Sequence, residues 1–599
     1  MKSSLRIKAL IFFIIITSIS LKGFSQGFLK ANGKKIENDK GEVLLRGIGL
    51  GGWMLQEPYM LKLSGIVNTQ SQLKSKIKEL IGDDKTKTFY DAWHTNHMRK
   101  ADVDSIASWG FNSIRLPMHF NLFTLPIEQE PIKGQNTWLK EGFALTDSLL
   151  KWCKKDHIYL ILDLHAAPGG QGTDYAIADG DNTKPSLWES EANQQKTIAL
   201  WKKLAERYVN ESWIGGYDLI NETNWGFTDQ KGDLHGTGEK QNTPLKKLLT
   251  DITTAIRTVD SHHMIIIEGN GWANNYNGIF PLWDSNMCIS FHKYWNFNDQ
   301  NSIQGFVNMR NKYNVPLWMG ESGENSNVWI RDALSLFEHN DIGWALWPLK
   351  KIGLNNPLEI SMNPGYQNII NYWKGISDKP SSDEAFKALM QLTENIKAEN
   401  TFSHSDYIDA LFRQLKTNKT KPFKSKTLDS KVLIFATDFD LGRNGIAYYS
   451  KDSADFHVST NKYGNWNDGG VYRNDGVDIN TCTDKITNGY CVTGIQTDEW
   501  MKYTINVKSK GNYNLSVRTA SDNLNGKISI LLNNKTLESS FNLPNTSSLS
   551  IWQTVSIETI NLEKGNNTII IKADNGGFNI NYFELEKKTR LNNQNLKSE

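Results

Sequence analysis

The hydrophobic pattern of the chain changes once, near residue 415, and this change constrains the fold more than any other feature. Before it, eight short apolar runs alternate with amphipathic stretches. Near-continuous apolar strands followed by helices are typical of a parallel sheet buried on both faces. Eight such units predict an α/β fold of the (β/α)8 barrel type rather than an open doubly wound sheet. The runs are residues 43–50, 111–116, 159–164, 214–220, 264–268, 287–292, 315–319 and 343–347.

The stretches between these runs carry apolar residues at helical spacing, in 145–155, 194–208, 245–259, 302–313 and 328–339. No GxGxxG motif opens a helix after a strand, so a dinucleotide-binding fold lacks its main support. A formal net charge of +2 gives no field that would concentrate a polyanion. We therefore expect no nucleic-acid partner of the basic-groove kind.

Beyond residue 432 the apolar residues alternate with period two. Short alternating strands separated by Asn and Gly turns predict an antiparallel β-sandwich of the jelly-roll type. The domains expected are a barrel over residues 27–415 and a sandwich over 432–587. Residues 416–431, rich in Lys, Thr and Ser, are predicted to be a linker, and 588–599 a polar tail. The predicted sandwich strands are 500–507, 512–518, 527–532, 552–557, 567–573 and 579–585.

The first 25 residues have the pattern of an export signal. Three basic residues precede an apolar run over residues 9–16, and small residues surround Ser25. The run is too short for a membrane span, and no other stretch approaches 18 apolar residues. We expect a secreted or periplasmic protein with no membrane span.

Four cysteines enter this oxidising compartment. Cys482 and Cys491 lie close together in a Gly-, Asn- and Thr-rich segment and are the predicted disulfide. Cys153 and Cys288 lie in apolar contexts and are predicted to be buried thiols. No CxxC or His-rich spacing indicates a metal site.

Two carboxylates directly follow apolar runs, Glu222 in YDLINET and Glu321 in PLWMGES. In a barrel of this type, catalytic side chains lie where the strands end. Two carboxyl groups brought together in this way suit glycosidic cleavage, in which one attacks the anomeric carbon and the other protonates the leaving oxygen. The pattern alone leaves open that both are ordinary carboxylates paired with Arg or Lys. Further polar residues at the run ends are Arg115, His165, Asn221, His292, Tyr294 and Trp347.

Over roughly residues 30–400, the sequence resembles glycoside hydrolase family 5. The motifs occur in the family's order at the ends of successive runs, and the resemblance implies a retaining glycosidase that needs no cofactor for catalysis. They are RLP at Arg115, DLHAAPGG around His165, the pair Asn221–Glu222, FHKY around His292 and Tyr294, GES at Glu321 and WALWPLK around Trp347.

The resemblance also implies roles. Glu222 would be the acid/base, Glu321 the nucleophile, and Asn221 would hold the sugar 2-hydroxyl. Arg115 and Tyr294 would hydrogen-bond the nucleophile and keep it ionised. The subsite of the reacting sugar would be lined by His165, His292 and a stacking floor, Trp347. Without the family context, either His could equally be a satisfied core residue, and a strand Trp is more often core.

The segment RGIGLGGWMLQEPYM is similar to the start of the family's exo-β-1,3-glucanases. There, an acid at the place of Glu57 holds the non-reducing glucose, and Asp174 falls near a second acid that contacts the same sugar. Asp174 is one residue closer to His165 than in those enzymes, and Tyr175 replaces their Asn. The preferred function is therefore an exo-acting β-1,3-glucanase, with β-1,6- and β-1,4-glucan next in order.

The second half resembles a family 6 carbohydrate-binding module over about residues 432–587, in strings such as GGVYRNDGVDI and DNGGFNINYFELE. The resemblance implies that Asn579 bonds sugar in a cleft at the loop end. Gly494 and Leu549 stand where two aromatics usually flank that ligand, while Trp500 is retained in an EW motif. Phe435 and Thr437 replace acidic residues at the start of the module, so a structural calcium stays open.

Three alternatives remain at this stage. The enzyme could be an endo-β-1,4- or β-1,6-glucanase, or a mannan- or xylan-active member of the same family, because loops set specificity on a shared barrel. A non-catalytic glycan-capture protein on an inactive barrel is the alternative outside enzymes. The expected partner is a polysaccharide or oligosaccharide, and we expect a monomer.

Overall fold

The computed structural model describes residues 27–294, 296–454, 467, 469–523 and 525–588. The predicted export signal and nearly all of the predicted polar tail lie outside these residues. Within them, no helix combines the length and the apolar character needed to cross a membrane.

Eight parallel strands close into a barrel, as predicted, and each predicted run overlaps one strand. A small antiparallel sheet precedes the barrel and is made of β1 (Lys30–Asn32), β2 (Lys35–Asn38) and β3 (Gly41–Glu42). The barrel strands are almost wholly buried because helices cover the outside and side chains fill the inside. They are β4 (Arg46–Gly49), β5 (Ser113–His119), β6 (Tyr159–Ala166), β7 (Ile214–Asp218), β8 (Ile265–Glu268), β9 (Met287–Lys293), β10 (Leu317–Gly323) and β11 (Gly343–Trp347).

The five predicted amphipathic stretches correspond to α4, α6, α7, α9 and α10. Helix α6 shows how they form: the Ser190 side chain accepts a hydrogen bond from the backbone N–H of Asn193, and Leu200, Trp201 and Leu204 turn into the core. The helices are α1 (Gln70–Ile81), α2 (Asp83–His97), α3 (Lys100–Trp109), α4 (Lys140–Asp156), α5 (Tyr175–Ala178), α6 (Glu191–Tyr208), α7 (Thr243–Arg257), α8 (Asn270–Ala273), α9 (Gln300–Tyr313), α10 (Asn327–His339), α11 (Pro364–Trp373), α12 (Ser382–Asn395) and α13 (Ser405–Lys416).

A small sheet of β12 (Lys350–Lys351), β13 (Leu358–Glu359) and β14 (Phe402–Ser403) follows the barrel, and then two packed sheets form the predicted sandwich. One sheet contains β15, β17, β20, β22, β23 and β25, and the other contains β16, β18, β19, β21, β24 and β26. Their bounds are β15 (Thr427–Leu428), β16 (Lys431–Phe435), β17 (Tyr448–Tyr449), β18 (Ile479–Thr481), β19 (Tyr490–Ile495), β20 (Trp500–Val507), β21 (Gly511–Ser521), β22 (Lys527–Leu532), β23 (Lys535–Asn542), β24 (Ser548–Leu562), β25 (Gly565–Asn575) and β26 (Phe578–Lys587).

The segment predicted as a linker, residues 416–431, is packed onto the sandwich. Lys421 and Leu441 exchange two backbone hydrogen bonds of 3.1 and 2.7 Å, and β15 pairs with β20. Leu428 is fully buried in the sandwich core, and Phe423 packs against it. These two apolar side chains, rather than the Lys- and Thr-rich composition around them, decide how the segment lies.

Cys482 and Cys491 are free thiols in this structure, not a disulfide. Cys482 follows β18 and donates its backbone N–H to Gly489, at the turn that leads into β19, which contains Cys491. Cys491 lies two residues after Gly489, on the strand that is paired with β18. The geometry brings the predicted partners together, and the disulfide stays a prediction. Cys153 and Cys288 are buried thiols, as predicted.

Candidate active site

Glu222 and Glu321 meet at the end of the barrel where the strands finish. One carboxylate oxygen of each, together with a ring nitrogen of His292, lie within 4.8 Å of one another. Two local distortions aim these groups. The pairing register of β10 shifts between Met319 and Glu321, a bulge that turns the side chain. Glu222 has a left-handed backbone with φ of 40°, a strained conformation that its surroundings must enforce.

The carboxylate of Glu321 is fixed by two donors. Arg115 Nη1 donates to Oε2 at 2.7 Å, and the Tyr294 hydroxyl donates to Oε1 at 2.6 Å. Arg115 extends from β5 and is 1% exposed. Charge-assisted bonds of this length hold a carboxylate in one orientation. Glu321 is therefore held in one orientation at the end of the barrel.

The same guanidinium organises the groups beneath Glu321. Besides Glu321 it contacts three buried carboxylates, and its Nη2 also donates to the Asn221 amide oxygen at 2.8 Å. This bond leaves the Asn221 amide nitrogen facing His165, whose Nε2 is 3.4 Å away. The other three carboxylates are Asp163 at 3.3 Å, Asp218 at 3.0 Å and Glu268 at 2.9 Å.

His292 bridges two carboxyl groups. Its Nδ1 lies 2.6 Å from Glu222 Oε1 and its Nε2 lies 3.2 Å from Glu268 Oε1. Burial lowers the pKa of His292, but Glu268 and Glu222 more than offset it, and the pKa lies well above its usual value. Burial likewise opposes ionisation of Glu268, yet His292 and Arg115 bring its pKa down to about 2. The site thus contains an imidazolium between two acids.

Glu222 titrates differently from its neighbour Glu268. Burial raises the pKa of Glu222, and the charges of Glu321 and Glu268 add to the increase, while His292 partly opposes it. Its backbone N–H donates to Glu268 Oε2 at 2.6 Å. Two neighbouring carboxyl groups in different environments, one of them with a raised pKa, are the arrangement that separates an acid from a nucleophile.

His165 and Trp347 form one wall of the site. Their rings are stacked, with centroids 5.0 Å apart and planes within 6°. Asp163 accepts a 2.7 Å hydrogen bond from His165 Nδ1, which fixes the imidazole. The Trp347 indole N–H donates to the Tyr59 hydroxyl at 3.0 Å. Two of the three residues predicted to line the reacting-sugar subsite therefore form a wall beside Asn221, and the third, His292, contacts Glu222.

Glu57 joins the same cluster from the segment after β4. It is 6% exposed, and burial first, then the charges of Glu321, Glu324, Glu222 and Asp174, raise its pKa well above the usual range. Its neighbour Tyr59 donates to Glu324 at 2.9 Å, and Lys351 pairs with the same carboxylate. The charge of Asp174 contributes to the raised pKa of Glu57, so the two acids predicted to hold one sugar lie near each other.

Sequence reasoning missed the acids under Arg115. Glu268 ends β8 and satisfies the strand-end criterion used for Glu222, so a signal for it existed. Asp163 lies inside β6, and Asp218 ends β7 within the predicted apolar run 214–220; a charged residue in a buried strand needs a partner. Tyr59, Glu324 and Lys351 had no comparable signal, because their meeting depends on loop conformation.

The sandwich presents two depressions. One, of about 650 Å³, lies at the loop end and is lined by Gly494, Leu549, Phe578 and Asn579 among others. Both polar ends of the Asn579 side chain are used inside the protein: its oxygen accepts from Gly494 N at 3.1 Å, and its nitrogen donates to Leu549 O at 3.0 Å. Asn579 thus ties the end of β19 to the start of β24.

The second depression, of about 450 Å³, lies on the face of the sheet that contains β20 and includes Trp500. Tyr449 and Trp500 are direct cross-strand neighbours, and Lys572 is the neighbour of Trp500 on the other side. Tyr449 is 38% exposed. The remaining lining residues are Asp498, Leu531 and Ile570.

Comparison with known proteins agrees with the division of the chain into a barrel and a sandwich. Residues 75–352 match the cellulase model of glycosyl hydrolase family 5, and residues 471–587 match the family 6 carbohydrate binding module. A β-xylosidase of Phanerodontia chrysosporium is 27% identical over 57% of this chain and 75% of its own length. Endoglucanase C of Acetivibrio thermocellus is 24% identical over 51% and 91%, respectively.

Glucan 1,3-beta-glucosidase 2 of Wickerhamomyces anomalus is 30% identical over 40% of this chain and 57% of its own length. Among solved structures, the C-terminal family 6 module of a marine laminarinase from Zobellia galactanivorans is 25% identical, covering 26% of this chain and 99% of that one, with a TM-score of 0.19. The chain is therefore a glycosidase with a glycosyl hydrolase family 5 (β/α)8 domain followed by a family 6 carbohydrate-binding module.

Proposed function

We propose that this chain is an exported retaining exo-β-glucanase that acts preferentially on β-1,3-glucan. The observation that carries the retaining mechanism is that one carboxylate oxygen of Glu222 and one of Glu321 lie within 4.8 Å of each other. Retaining glycosidases place their two carboxyl groups about 5–5.5 Å apart, whereas inverting enzymes leave room for a water at about 6.5–9.5 Å. The short distance supports direct attack by a carboxylate.

In the first step, Glu321 attacks the anomeric carbon while Glu222 gives its proton to the leaving glycosidic oxygen. The bonds of Arg115 and Tyr294 to Glu321 hold the attacking oxygen in line with the anomeric carbon. The raised pKa of Glu222 retains the proton until the oxygen leaves. The product is a glycosyl ester on Glu321 and a released alcohol.

In the second step, ionised Glu222 takes a proton from water, and the hydroxide oxygen bonds to the anomeric carbon as the ester bond to Glu321 breaks. Glu222 ends protonated and Glu321 ionised, so the cycle closes with the anomeric configuration retained. The bond from Arg115 to the Asn221 amide oxygen orients this amide, and its nitrogen donates to the sugar 2-hydroxyl in this scheme. No step requires a cofactor.

Exo action is supported by the acids that surround the subsite. Glu57, buried beside the catalytic pair and coupled to Asp174, offers polar atoms to the outer hydroxyls of one terminal sugar. A site of this kind holds the last sugar of a chain. Its buried carboxyl groups need hydrogen bonds from the hydroxyls of that sugar, and without them they are left unsatisfied. The similarity to glucan 1,3-beta-glucosidase 2 supports β-1,3-glucan as the polymer.

The test of this proposal is the product pattern on four polymers. Purified full-length protein would be incubated with laminarin, pustulan, carboxymethylcellulose and mannan, and early products separated. Glucose as the first product from laminarin supports exo action on β-1,3 bonds. An early ladder of oligosaccharides would overturn the exo proposal, and faster release from another polymer would overturn the linkage.

A second candidate is terminal hydrolysis of β-xylosides, favoured by the similarity to the β-xylosidase of Phanerodontia chrysosporium over three quarters of that protein. Xylose lacks the hydroxymethyl group of glucose, so the relative rates on a glucoside and a xyloside distinguish the two candidate activities. Comparing kcat/KM on 4-nitrophenyl β-glucoside and β-xyloside decides between them. A ratio that favours the xyloside would replace the glucan assignment.

For the module, we propose that sugar binds over Tyr449 and Trp500 on the sheet face. Aromatic faces stack on the apolar face of pyranose rings, and the paired Lys572 and Asp498 offer hydrogen bonds at the rim. The loop-end cleft lacks exposed aromatics at Gly494 and Leu549. Binding to the polymer raises the local substrate concentration for the barrel.

A further inference from the structure

One buried segment through which the module contacts the catalytic domain is Arg473–Asp475. The backbone N–H of Asn327 donates to Asn474 O at 3.0 Å, and the Asn474 side chain donates to Asn325 O at 3.0 Å. All three asparagines are at most 2% exposed. Asn325 and Asn327 belong to the loop that leaves β10, four to six residues after Glu321. The module therefore contacts the loop that follows the nucleophile.

A barrel carboxylate holds both sides of this contact. Asp406, on α13, accepts from the Asn327 side chain at 2.7 Å and from the backbone N–H of Asn474 at 3.3 Å through the same oxygen. Asp406 is 2% exposed. Removing one partner of a buried hydrogen bond leaves the other partner unsatisfied, which costs more than the bond itself contributes. The three segments form one polar network closed to water.

Inside the module, the segment is rigid. The Arg473 guanidinium pairs with Asp475 at 2.9 Å, lies 3.5 Å above the centre of the Phe439 ring, and donates to the Phe439 carbonyl. Its side chain is buried, and Phe423 covers it at 4.7 Å. The module core thus anchors the residues on both sides of Asn474.

A second contact fixes the start of α10. The Ser326 hydroxyl accepts the Trp329 N–H at 3.0 Å, which caps the helix, and donates its proton to the carbonyl oxygen of Ala454 in the module. Val328 and Ala454 pack together as a separate buried apolar pair. The loop between β10 and α10 therefore has the barrel on one side and the module on the other.

From this loop, a short path leads to the reacting atoms. The Asn325 side chain donates to the Tyr294 carbonyl at 3.4 Å, and the Tyr294 hydroxyl donates to Glu321 at 2.6 Å. Glu324, in the same loop, accepts from Tyr59, which in turn accepts from Trp347. A shift of this loop moves the nucleophile, its donor and one wall of the sugar site together.

We propose that Asn474 of the module is a positioning residue for the nucleophile of the barrel. Its two bonds hold the loop Asn325–Asn327 so that Tyr294 and Glu321 keep their alignment. The module then has a role in the chemical step as well as any role in polymer capture, and it acts on soluble substrates. This inference rests on the proposed retaining mechanism, because it concerns the rate at which Glu321 attacks.

The test measures that attack directly in the full-length protein. 2,4-Dinitrophenyl 2-deoxy-2-fluoro-β-glucoside esterifies a carboxylate nucleophile and traps it, and the dinitrophenolate released reports the rate. Asn474→Ala should lower the limiting rate constant of trapping about tenfold or more while the half-saturating concentration changes little, since small misplacements of a reacting group cost this much. Asn512→Ala, an exposed asparagine on the module edge, is the matched control and should trap at the unmodified rate.

A merely structural role gives a different result. If Asn474→Ala only unfolds part of the sample, the amplitude of trapping falls and the rate constant does not, and the proposal is overturned. Asn325→Ala should reproduce the slower rate, and the double variant should lose little more, because both changes loosen one loop. Fully additive losses would also overturn it. Unmodified protein that is not trapped at all would instead refute the retaining glucosidase assignment.

Discussion

His292 lies 2.6 Å from Glu222, and it is this imidazolium that keeps the buried acid titratable. The pKa of Glu222 is raised chiefly by burial and lowered by the charge of His292. His292 also contacts Glu268, whose pKa is about 2, so the ring stays protonated between two acids. The charge state of His292 therefore sets the pH range in which Glu222 can donate its proton.

Replacing His292 by Asn should move the alkaline limb of the pH profile upward. Asn retains a hydrogen bond to Glu222 but removes the positive charge, so the pKa of Glu222 rises further and the group stays protonated to higher pH. We expect the alkaline limb of kcat/KM on an aryl glucoside to shift by about one pH unit or more. An unchanged limb, or one moved to lower pH, would show that His292 does not control this acid.

Replacing Glu321 by Ala should abolish turnover, because no other carboxylate in the described site is held by both Arg115 and Tyr294. Azide can occupy the space of the missing side chain and attack the anomeric carbon from the same face. The rescued product should be the α-glycosyl azide, seen by NMR. If the unmodified enzyme itself released an inverted anomer, the assignment of Glu321 as nucleophile would fail.

The sequence predicts the barrel well because each strand is buried on both faces and therefore reads as an apolar run. The sequence also shows where each apolar run ends, and this is why it identifies Glu222 and Glu321 as candidate catalytic residues. The direction of a side chain within a strand is not visible in the sequence, since it depends on twist and on bulges such as the one before Glu321. Asp163 and Asp218 were missed for this reason.

Contacts between distant loops are the part that sequence reasoning cannot reach. Nothing in residues 416–431 separates a solvated tether from a packed segment, except two apolar residues, Phe423 and Leu428. The meeting of Asn474 with Asp406 depends on how two domains dock, and neither residue differs from an ordinary surface Asn or Asp in its local pattern. Such contacts decide whether the module is a tether or a part of the site.

Replacing Glu57 by Gln should reduce kcat/KM on laminarin by about 10- to 100-fold, or about 1.4–3 kcal/mol, because an amide nitrogen takes the place of one carboxyl oxygen and a buried hydrogen bond to the sugar is lost. Glu128→Gln is the control, since Glu128 is exposed and paired with Lys184 at 2.7 Å. We expect the control to stay near the unmodified rate. Equal effects of the two changes would place Glu57 outside the sugar site.

The module offers a choice between two binding surfaces, and single substitutions separate them. Trp500→Ala should weaken adsorption to insoluble β-1,3-glucan about tenfold, which corresponds to about 1.4 kcal/mol. Tyr449→Phe should retain binding, because the ring and not the hydroxyl contacts sugar, whereas Tyr449→Ala should lose it. Depletion of the protein from solution over a range of glucan concentrations gives these constants.

Asn579→Ala should act on stability rather than on binding. Its side chain joins Gly494 of β19 to Leu549 of β24 through two internal hydrogen bonds. The loss of this side chain should therefore lower the free energy of unfolding by about 1–2 kcal/mol. Adsorption measured well below the melting temperature should then be unchanged. Binding that survives Trp500→Ala but disappears in Asn579→Ala, with the protein folded, would move the ligand to the loop-end cleft, because only a direct contact of Asn579 with sugar could produce that pair of results.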